Sequence, residues 1–357
     1  MTPISPVTQA NAVGRGATFL GAGPSIFASK EEKELAQVLD SGLEKIERGL
    51  ERELKFSDEI ADAVARYLYS AGGKRIRPLL MLLTSQWGAG VTDRVIRAAQ
   101  VIELTHIATL YHDDVMDESA QRRGVPAAHT VWGNSMAILA GDLLFSRAAS
   151  LGGTLGQKAI DLQTATFERL CLGQMRETVG PKPGQDPISH YLKVLSDKTG
   201  SLIALASEFG IQMAGGPEKY VGPVRQYGEK LGIAFQLIDD VIDLAPKEAD
   251  TGKLPGTDVR RGVTTLPMLY LQELASKGDE EASLLFAKLS LGNFTEVSEE
   301  EFLSYICALR EHPATARTVE TARSMAESAI RELEPIPDDI VKDGMIHFAH
   351  RVVERSY

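Results

Sequence analysis

The sequence predicts an all-α protein, and three observations carry that expectation. Apolar residues recur at helical spacing from Ser29 onward, capping residues stand ahead of the apolar runs, and strand-like alternation is scarce. Ser29 and Glu32 have capping-box spacing before the run Glu31 to Leu50, and Ser57-Asp58-Glu59 sets a cap and first-turn carboxylates before Ile60 to Tyr69. Gly72-Gly73 ends that helix. Later, Tyr227, Leu231, Ala234, Phe235, Ile238, Val241 and Ile242 form one apolar helical stripe. Gly180 to Pro187 reads as a loop, and Pro246 to Thr265, with Gly252, Pro255, Gly256 and Gly262, as a long irregular segment. Neither is long or polar enough for an interdomain linker. The expected organisation is one all-α domain over residues 30–357 after a flexible tail of residues 1–29, whose only charged side chain is Arg15 and which lacks the apolar centre of a signal peptide.

Composition narrows the function classes. With 38 basic and 49 acidic side chains the 357-residue chain carries a formal charge of -11, which argues against a nucleic-acid binder. The hydrophobic share of 43% beside 24% charged residues suits a folded core and excludes global disorder. No glycine-rich phosphate loop of the G-x-x-x-x-G-K-[ST] or G-x-G-x-x-G type occurs, which speaks against P-loop and Rossmann enzymes. Cys171 and Cys307 cannot build a disulfide framework, and both are expected in the core of a protein from a reducing, cytoplasmic compartment. The longest uncharged stretch, Gly124 to Gly141, is broken by Pro126, His129 and Asn134 and is no transmembrane helix.

Two words stand out: Asp113-Asp114-Val115-Met116-Asp117 and Asp239-Asp240-Val241-Ile242-Asp243. On a helix the first and last carboxylates of each word lie one turn apart and point the same way. Gln236, Asp239, Asp240 and Asp243 form a polar stripe on an otherwise apolar helix. Carboxylates so placed repel one another and call for a cation. A donor set of hard oxygens without His or Cys suits Mg²⁺, which takes one or two carboxylates per ion and bridges to substrate phosphates. Two such words facing each other across a cavity would hold a diphosphate through shared ions. A single word of this kind is commonly just a solvated acidic face; two copies of D-D-V-[MI]-D, each ending an apolar helix, are not expected from accidental surface charge.

An anionic substrate also needs fixed cations. Lys74, Arg75 and Arg77 sit at a helix boundary, Arg122-Arg123-Gly124 comes soon after the first word, and Lys198 and Lys253 are further candidates. Any one of these clusters alone more often just complements a helix dipole. His106 lies two turns before Asp113 on nearly the same face, whereas His112 and His129 have no such support.

These residues together resemble the trans-isoprenyl diphosphate synthases. The matching text is Gly73 to Pro78, Glu103-Leu104-Thr105-His106 leading into Asp113 to Asp117, Arg122-Arg123-Gly124, Trp132-Gly133-Asn134, Gly141-Asp142, Lys198-Thr199-Gly200, Phe235-Gln236 with the second word, and Gly252-Lys253 to Asp258. The resemblance implies an isoprenoid-synthase helical bundle around a central cavity, usually in a homodimer, with about three Mg²⁺ ions around an allylic diphosphate. By position, Asp113, Asp117 and Asp239 would be the main metal ligands, with Asp114, Asp240 and Asp243 assisting. Arg122, Lys198, Thr199, Gln236 and Lys253 would contact the allylic substrate, and Lys74, Arg77, His106 and Arg123 would hold isopentenyl diphosphate. The chain departs from its relatives at Val263, where many carry lysine, and at Glu177, where glutamine is usual.

The resemblance also bears on product length, because short-chain relatives plug the product tunnel with aromatic residues four and five positions before the first aspartate. Here those positions hold Thr109 and Ala108, which implies an open tunnel and a medium or long polyprenyl product, such as a quinone side-chain precursor. Small residues there are equally what close helix packing uses. Alternatives are a geranylgeranyl diphosphate synthase, or a non-catalytic prenyl-diphosphate-binding subunit, which would be expected to lose metal ligands. A terpene cyclase would have no use for Lys74, Arg77 and Arg123. Peripheral membrane contact during product release is a further expectation.

Overall fold

The computed structural model describes residues 29–245, 255–290, 294 and 297–355, and these are helical almost throughout. The tail expected over residues 1–29 lies, but for Ser29, outside the described residues, as does Lys253. Backbone contacts divide the chain into two compact units. The first holds the residues up to Thr166 with Ala204–Arg225 and Leu333–Phe348; the second holds Phe167–Ile203, Gln226–Glu332 and Ala349–Tyr357.

In the first unit, α1 (Lys30–Glu53) begins at a complete capping box, with Ser29 and Glu32 each bonding the other's backbone N–H. Leu39, Leu43, Ile46 and Leu50 fall on one face of it and are fully buried, each worth about 1.5–3 kcal/mol of transfer free energy. α2 (Glu59–Ser70) is capped by Asp58, whose carboxylate accepts from the N–H groups of Ile60 and Ala61. After α3 (Ile76–Thr84) comes α4 (Asp93–Met116), capped by Thr92 and buried on almost every face between Ala98 and Ala108. Helices α1, α3 and α6 (Asn134–Gly153) pack on α4. The α4–α6 approach is close at Gly141, where an added Cβ would lie 2.3 Å from His112 Nε2 and 3.2 Å from the Ala108 carbonyl.

Strand structure was expected to be scarce, and among the described residues it is one hairpin, β1 (Gln121–Arg122) with β2 (Val125–Pro126). Its turn residues Arg123 and Gly124 both take positive φ, the backbone that a two-residue hairpin turn requires. Short α5 (Ala128–Trp132) leads into α6.

The second unit holds most of α7 (Gln157–Val179), α8 (Pro187–Leu195) with its Asp186 cap, and a five-residue π turn, Ser196–Gly200, that runs into α9 (Ser201–Met213). α10 (Glu218–Asp243) buries Tyr227, Leu231, Ala234, Ile238 and Val241 of the expected stripe, while Phe235 and Ile242 are only half-buried. After α11 (Thr257–Arg260), helix α12 (Leu266–Ser276) packs on α13 (Glu280–Leu289) and α15 (Pro313–Glu332). α14 (Glu299–Glu311) lies between them in sequence, and α16 (Ile340–Val353) comes after α15.

The expectation for the cysteines is corrected. Cys171 and Cys307 are both exposed. Cys171 shares the outer face of α7 with Leu172 and Met175, and Cys307 reaches Glu311 one turn on. Composition cannot distinguish an outward cysteine from a buried one when the neighbouring residues on the same outer face are themselves apolar.

Candidate functional site

Both Asp words end their helices as the pattern indicates, the first closing α4 and the second closing α10. Asp113 and Asp114 are in the last turn of α4, and Asp117 is its C-cap. Asp114 is buried; Arg122 grips its Oδ1 through Nε at 2.7 Å and Nη2 at 2.6 Å, leaving Oδ2 buried without a partner. The hairpin therefore has a clear purpose. Its strand aims Arg122 at α4, and its turn brings Arg123 to the carbonyls of Leu68 (2.9 Å) and Gly72 at the end of α2.

The basic text before α3 separates into different roles. Arg75 is buried in a left-handed backbone conformation, bonding Glu47 and Glu103 at 2.8 Å each, and so belongs to the framework. That explains the buried Glu103 in the motif text. Lys74 is exposed, and Arg77 stands half-buried in the first turn of α3 with its Nε buried and unpartnered. Burial depresses Arg77 and lowers Arg123 to about 10, Arg75, Arg122 and Arg77 adding to the shift at Arg123. His106 is held well below its ordinary value of 6.5 by burial first and then by Arg77, Arg123, Arg75 and Arg122. The histidine is therefore neutral among four cations. Thr109 Oγ1 donates to the His106 carbonyl at 2.7 Å, and Ala108 is fully buried.

In the second unit the polar stripe of α10 meets the π turn. Thr199 Oγ1 stands 3.5 Å from Gln236 Oε1, and Gln236 Nε2 3.5 Å from Asp240 Oδ1. Asp240 is buried and accepts from the Tyr191 hydroxyl at 2.6 Å. Burial pushes the Asp240 carboxyl well above the usual range, and Asp258 and Asp239 push it further. Asp243 accepts from the Asp258 N–H at 3.0 Å. Lys198 Nζ lies 2.6 Å from Glu177, the residue at which the chain departs from its relatives. Val263 is partly exposed.

In each unit, taken by itself, the carboxylates present suit a divalent cation. The orphaned Asp114 oxygen and the crowded, buried Asp240 are hard-oxygen groups whose ionised form calls for a cation. Among the described residues no three His, Cys, Asp or Glu side chains gather into a closed cage, and Mg²⁺ does not need one, since it keeps waters and takes substrate phosphates as ligands. Sequence reasoning missed Tyr191, the Glu47–Arg75–Glu103 bridge, Asp197, which pairs with Arg169, Arg176 and Lys193, and Arg355, which pairs with Asp239. Of these, only the placement of Asp197 directly before Lys198-Thr199-Gly200 offered a signal.

Comparison with known proteins identifies the family. The sequence pattern described as "Polyprenyl synthetase" matches residues 58–299. The chain is 41% identical over 304 residues to a nonaprenyl diphosphate synthase of Mycobacterium tuberculosis, covering 85% of this chain and 89% of that one. A polyprenyl synthase from Caulobacter crescentus, solved with calcium and isoprenyl diphosphate, superposes with a TM-score of 0.80 at 30% identity over 89% of this chain and 96% of its own. A geranylgeranyl pyrophosphate synthase from Corynebacterium glutamicum, also solved with calcium and isoprenyl diphosphate, gives 0.78 at 35% identity over 90% and 97%. With the pattern spanning both Asp words and the helical fold shared, the chain belongs to the polyprenyl synthetase family.

Proposed function

We propose that the protein is a Mg²⁺-dependent trans-polyprenyl diphosphate synthase that joins isopentenyl diphosphate to an allylic diphosphate and makes a medium- or long-chain product. The observation that carries this is the cluster of basic side chains around His106 in the first unit. Arg77, with a buried donor lacking a partner, and the depressed Arg123 surround a neutral His106 in a chain of net charge -11. Desolvated cations gain most from a diphosphate, and a neutral imidazole can bond it without raising their mutual repulsion.

In this reading Lys74, Arg77, His106 and Arg123 hold isopentenyl diphosphate. Arg122, Lys198, Thr199, Gln236 and Lys253 hold the allylic partner. Asp113, Asp117 and Asp239 ligate about three Mg²⁺ ions, assisted by Asp114, Asp240 and Asp243. When bound, Mg²⁺ neutralises charge on the departing diphosphate and so eases heterolysis of the allylic C–O bond. Lys198 and Arg122 add fixed positive charge where that negative charge grows. The double bond of isopentenyl diphosphate, held within reach, attacks the allylic carbon, and a proton leaves to the released diphosphate. Ala108 and Thr109 support a long product. Neither is bulky, and the Thr109 hydroxyl is already satisfied by its own helix. The similarity to a nonaprenyl diphosphate synthase supports the same length class.

The enzyme works as a cytoplasmic homodimer, with peripheral membrane contact at product release and no nucleic-acid partner. Exposed Ile138 and Leu139 on α6, and Leu172, Met175 and Val179 on α7, support self-association. No helix among the described residues is long and apolar enough to cross a membrane. Incubation with Mg²⁺, farnesyl diphosphate and labelled isopentenyl diphosphate should give elongated diphosphates. No incorporation with any allylic primer would overturn the reading, and a product that stops at geranylgeranyl diphosphate would replace the long-chain assignment with the short-chain one.

A further inference from the structure

The π turn before α9 is built around an acidic side chain that the proposed reaction leaves without a role. Asp197 is 1% exposed, yet three cations reach it: Arg169 Nε at 3.1 Å, Lys193 Nζ at 2.9 Å, and Arg176. Arg169 also bonds Glu229 Oε1 at 2.9 Å and Ser196 Oγ at 3.1 Å, and Ser196 Oγ donates to Glu229 at 2.6 Å. Arg169, Arg176 and Glu177 lie on one face of α7, so the helix that grips Asp197 also carries the partner of Lys198.

Glycines make this convergence sterically workable. A Cβ at Gly173 would lie 2.9 Å from Lys198 N and 3.0 Å from Asp197 Cβ. A Cβ at Gly232 would lie 2.6 Å from Gly200 Cα, and one at Gly200 would lie 2.8 Å from the Glu229 carbonyl. Both α7 and α10 thus touch the turn through its backbone. Ser201 N–H donates to the carbonyl of Ser196, five residues back, and Ser201 Oγ donates to the Asp197 carbonyl at 2.6 Å.

A π turn takes one residue more than an α turn, so it rotates the side chains after it by about 100° relative to an unbroken helix. Within this turn Asp197 meets the cations while Lys198 meets Glu177 and Thr199 meets Gln236. Such turns are rare and occur mostly as single turns within α-helices, frequently at functional sites. We infer that Asp197, through Arg169, Arg176 and Lys193, is the positioning residue that holds this turn open and so presents Lys198 to the allylic diphosphate. The inference rests on the role proposed above for Lys198.

Steady-state kinetics on the full-length protein test it with Asp197→Asn, which keeps shape and removes charge, and with Arg176→Ala, which removes one cation from a partly exposed side chain and keeps the test available where the first variant does not fold. Each is also made in a Lys198→Ala background. The expected result is an allylic KM raised about tenfold by Asp197→Asn and severalfold by Arg176→Ala, with the isopentenyl diphosphate KM within about twofold of the parent. In the Lys198→Ala background neither change raises the allylic KM by more than about twofold, because the hub acts through the lysine already removed. Additive losses, or equal changes in both KM values, would mean a structural role alone and overturn the inference. Should Lys198→Ala itself leave the allylic KM unchanged, the role of Lys198 falls and the inference with it. Should Lys198→Ala raise that KM while the hub variants do not, only the inference falls.

Discussion

Arg355 Nη2 lies 2.7 Å from Asp239 Oδ1, and its guanidinium sits 4.5 Å from the centre of the Phe235 ring, so the first carboxylate of the second word already has a cation. A divalent ion at Asp239 must share or displace it. Since both side chains are partly exposed, the pair is worth on the order of 1 kcal/mol or less, and Arg355→Ala should tighten Mg²⁺ binding by about two- to fivefold in calorimetric titration. Unchanged or weaker binding would show that Arg355 does not compete with the metal.

Glu177 engages Lys198 at 2.6 Å, in competition with any diphosphate the lysine is to bind. Glu177→Gln should lower the KM for the allylic substrate by about two- to fivefold and steepen its dependence on salt. A raised KM would show instead that the carboxylate orients the lysine.

His106 gives a pH test. Its folded pKa is depressed below 6.5 by burial and by the surrounding arginines, so below that value the unfolded chain binds the proton more readily than the folded one. The stability of the neutral form is complete above 6.5 and is lost as pH falls toward the depressed value. The parent protein should therefore lose more melting temperature than His106→Gln between about pH 7.5 and pH 5, measured by calorimetry without substrate. Equal losses would refute the assignment.

The Tyr111 hydroxyl donates to the Val64 carbonyl and accepts from the Leu68 N–H at 3.2 Å, entering the backbone of α2 from α4. Tyr111→Phe removes this hydroxyl from its buried site and should cost about 0.5–1.5 kcal/mol in urea denaturation.

Ala108→Phe fills the position expected to leave the product tunnel open. Chromatography of the dephosphorylated products should show a shorter chain, accompanied by about 1–3 kcal/mol of destabilisation from overpacking. Loss of stability with an unchanged product would make Ala108 a packing residue only.

Much of the helical scaffold was legible in the sequence, because caps such as Ser29 with Glu32 and Asp58, and the stripe from Tyr227 to Val241, are local patterns fixed by helix geometry. The two Asp words were legible for the same reason: their spacing is that of one helix turn. The hidden part depends on residues far apart in the chain. Arg75 reads like its neighbours Lys74 and Arg77, and only the fold shows that Glu47 and Glu103 occupy it. Tyr191 lies 49 positions from Asp240, and no periodicity links them. The outward cysteines were misjudged because type alone was the guide.

Arg75, Glu118 and Arg123 take left-handed backbone conformations at φ 52°, 48° and 53°, all within the text that frames the first Asp word. Each such residue costs on the order of 1 kcal/mol or more relative to glycine. For protein engineering this ranks the positions. Glu118 is exposed, so Glu118→Gly is the inexpensive route to a more heat-resistant enzyme, whereas Arg75→Gly would take the shared buried cation from Glu47 and Glu103 and Arg123→Gly would remove the bonds to the carbonyls of Leu68 and Gly72.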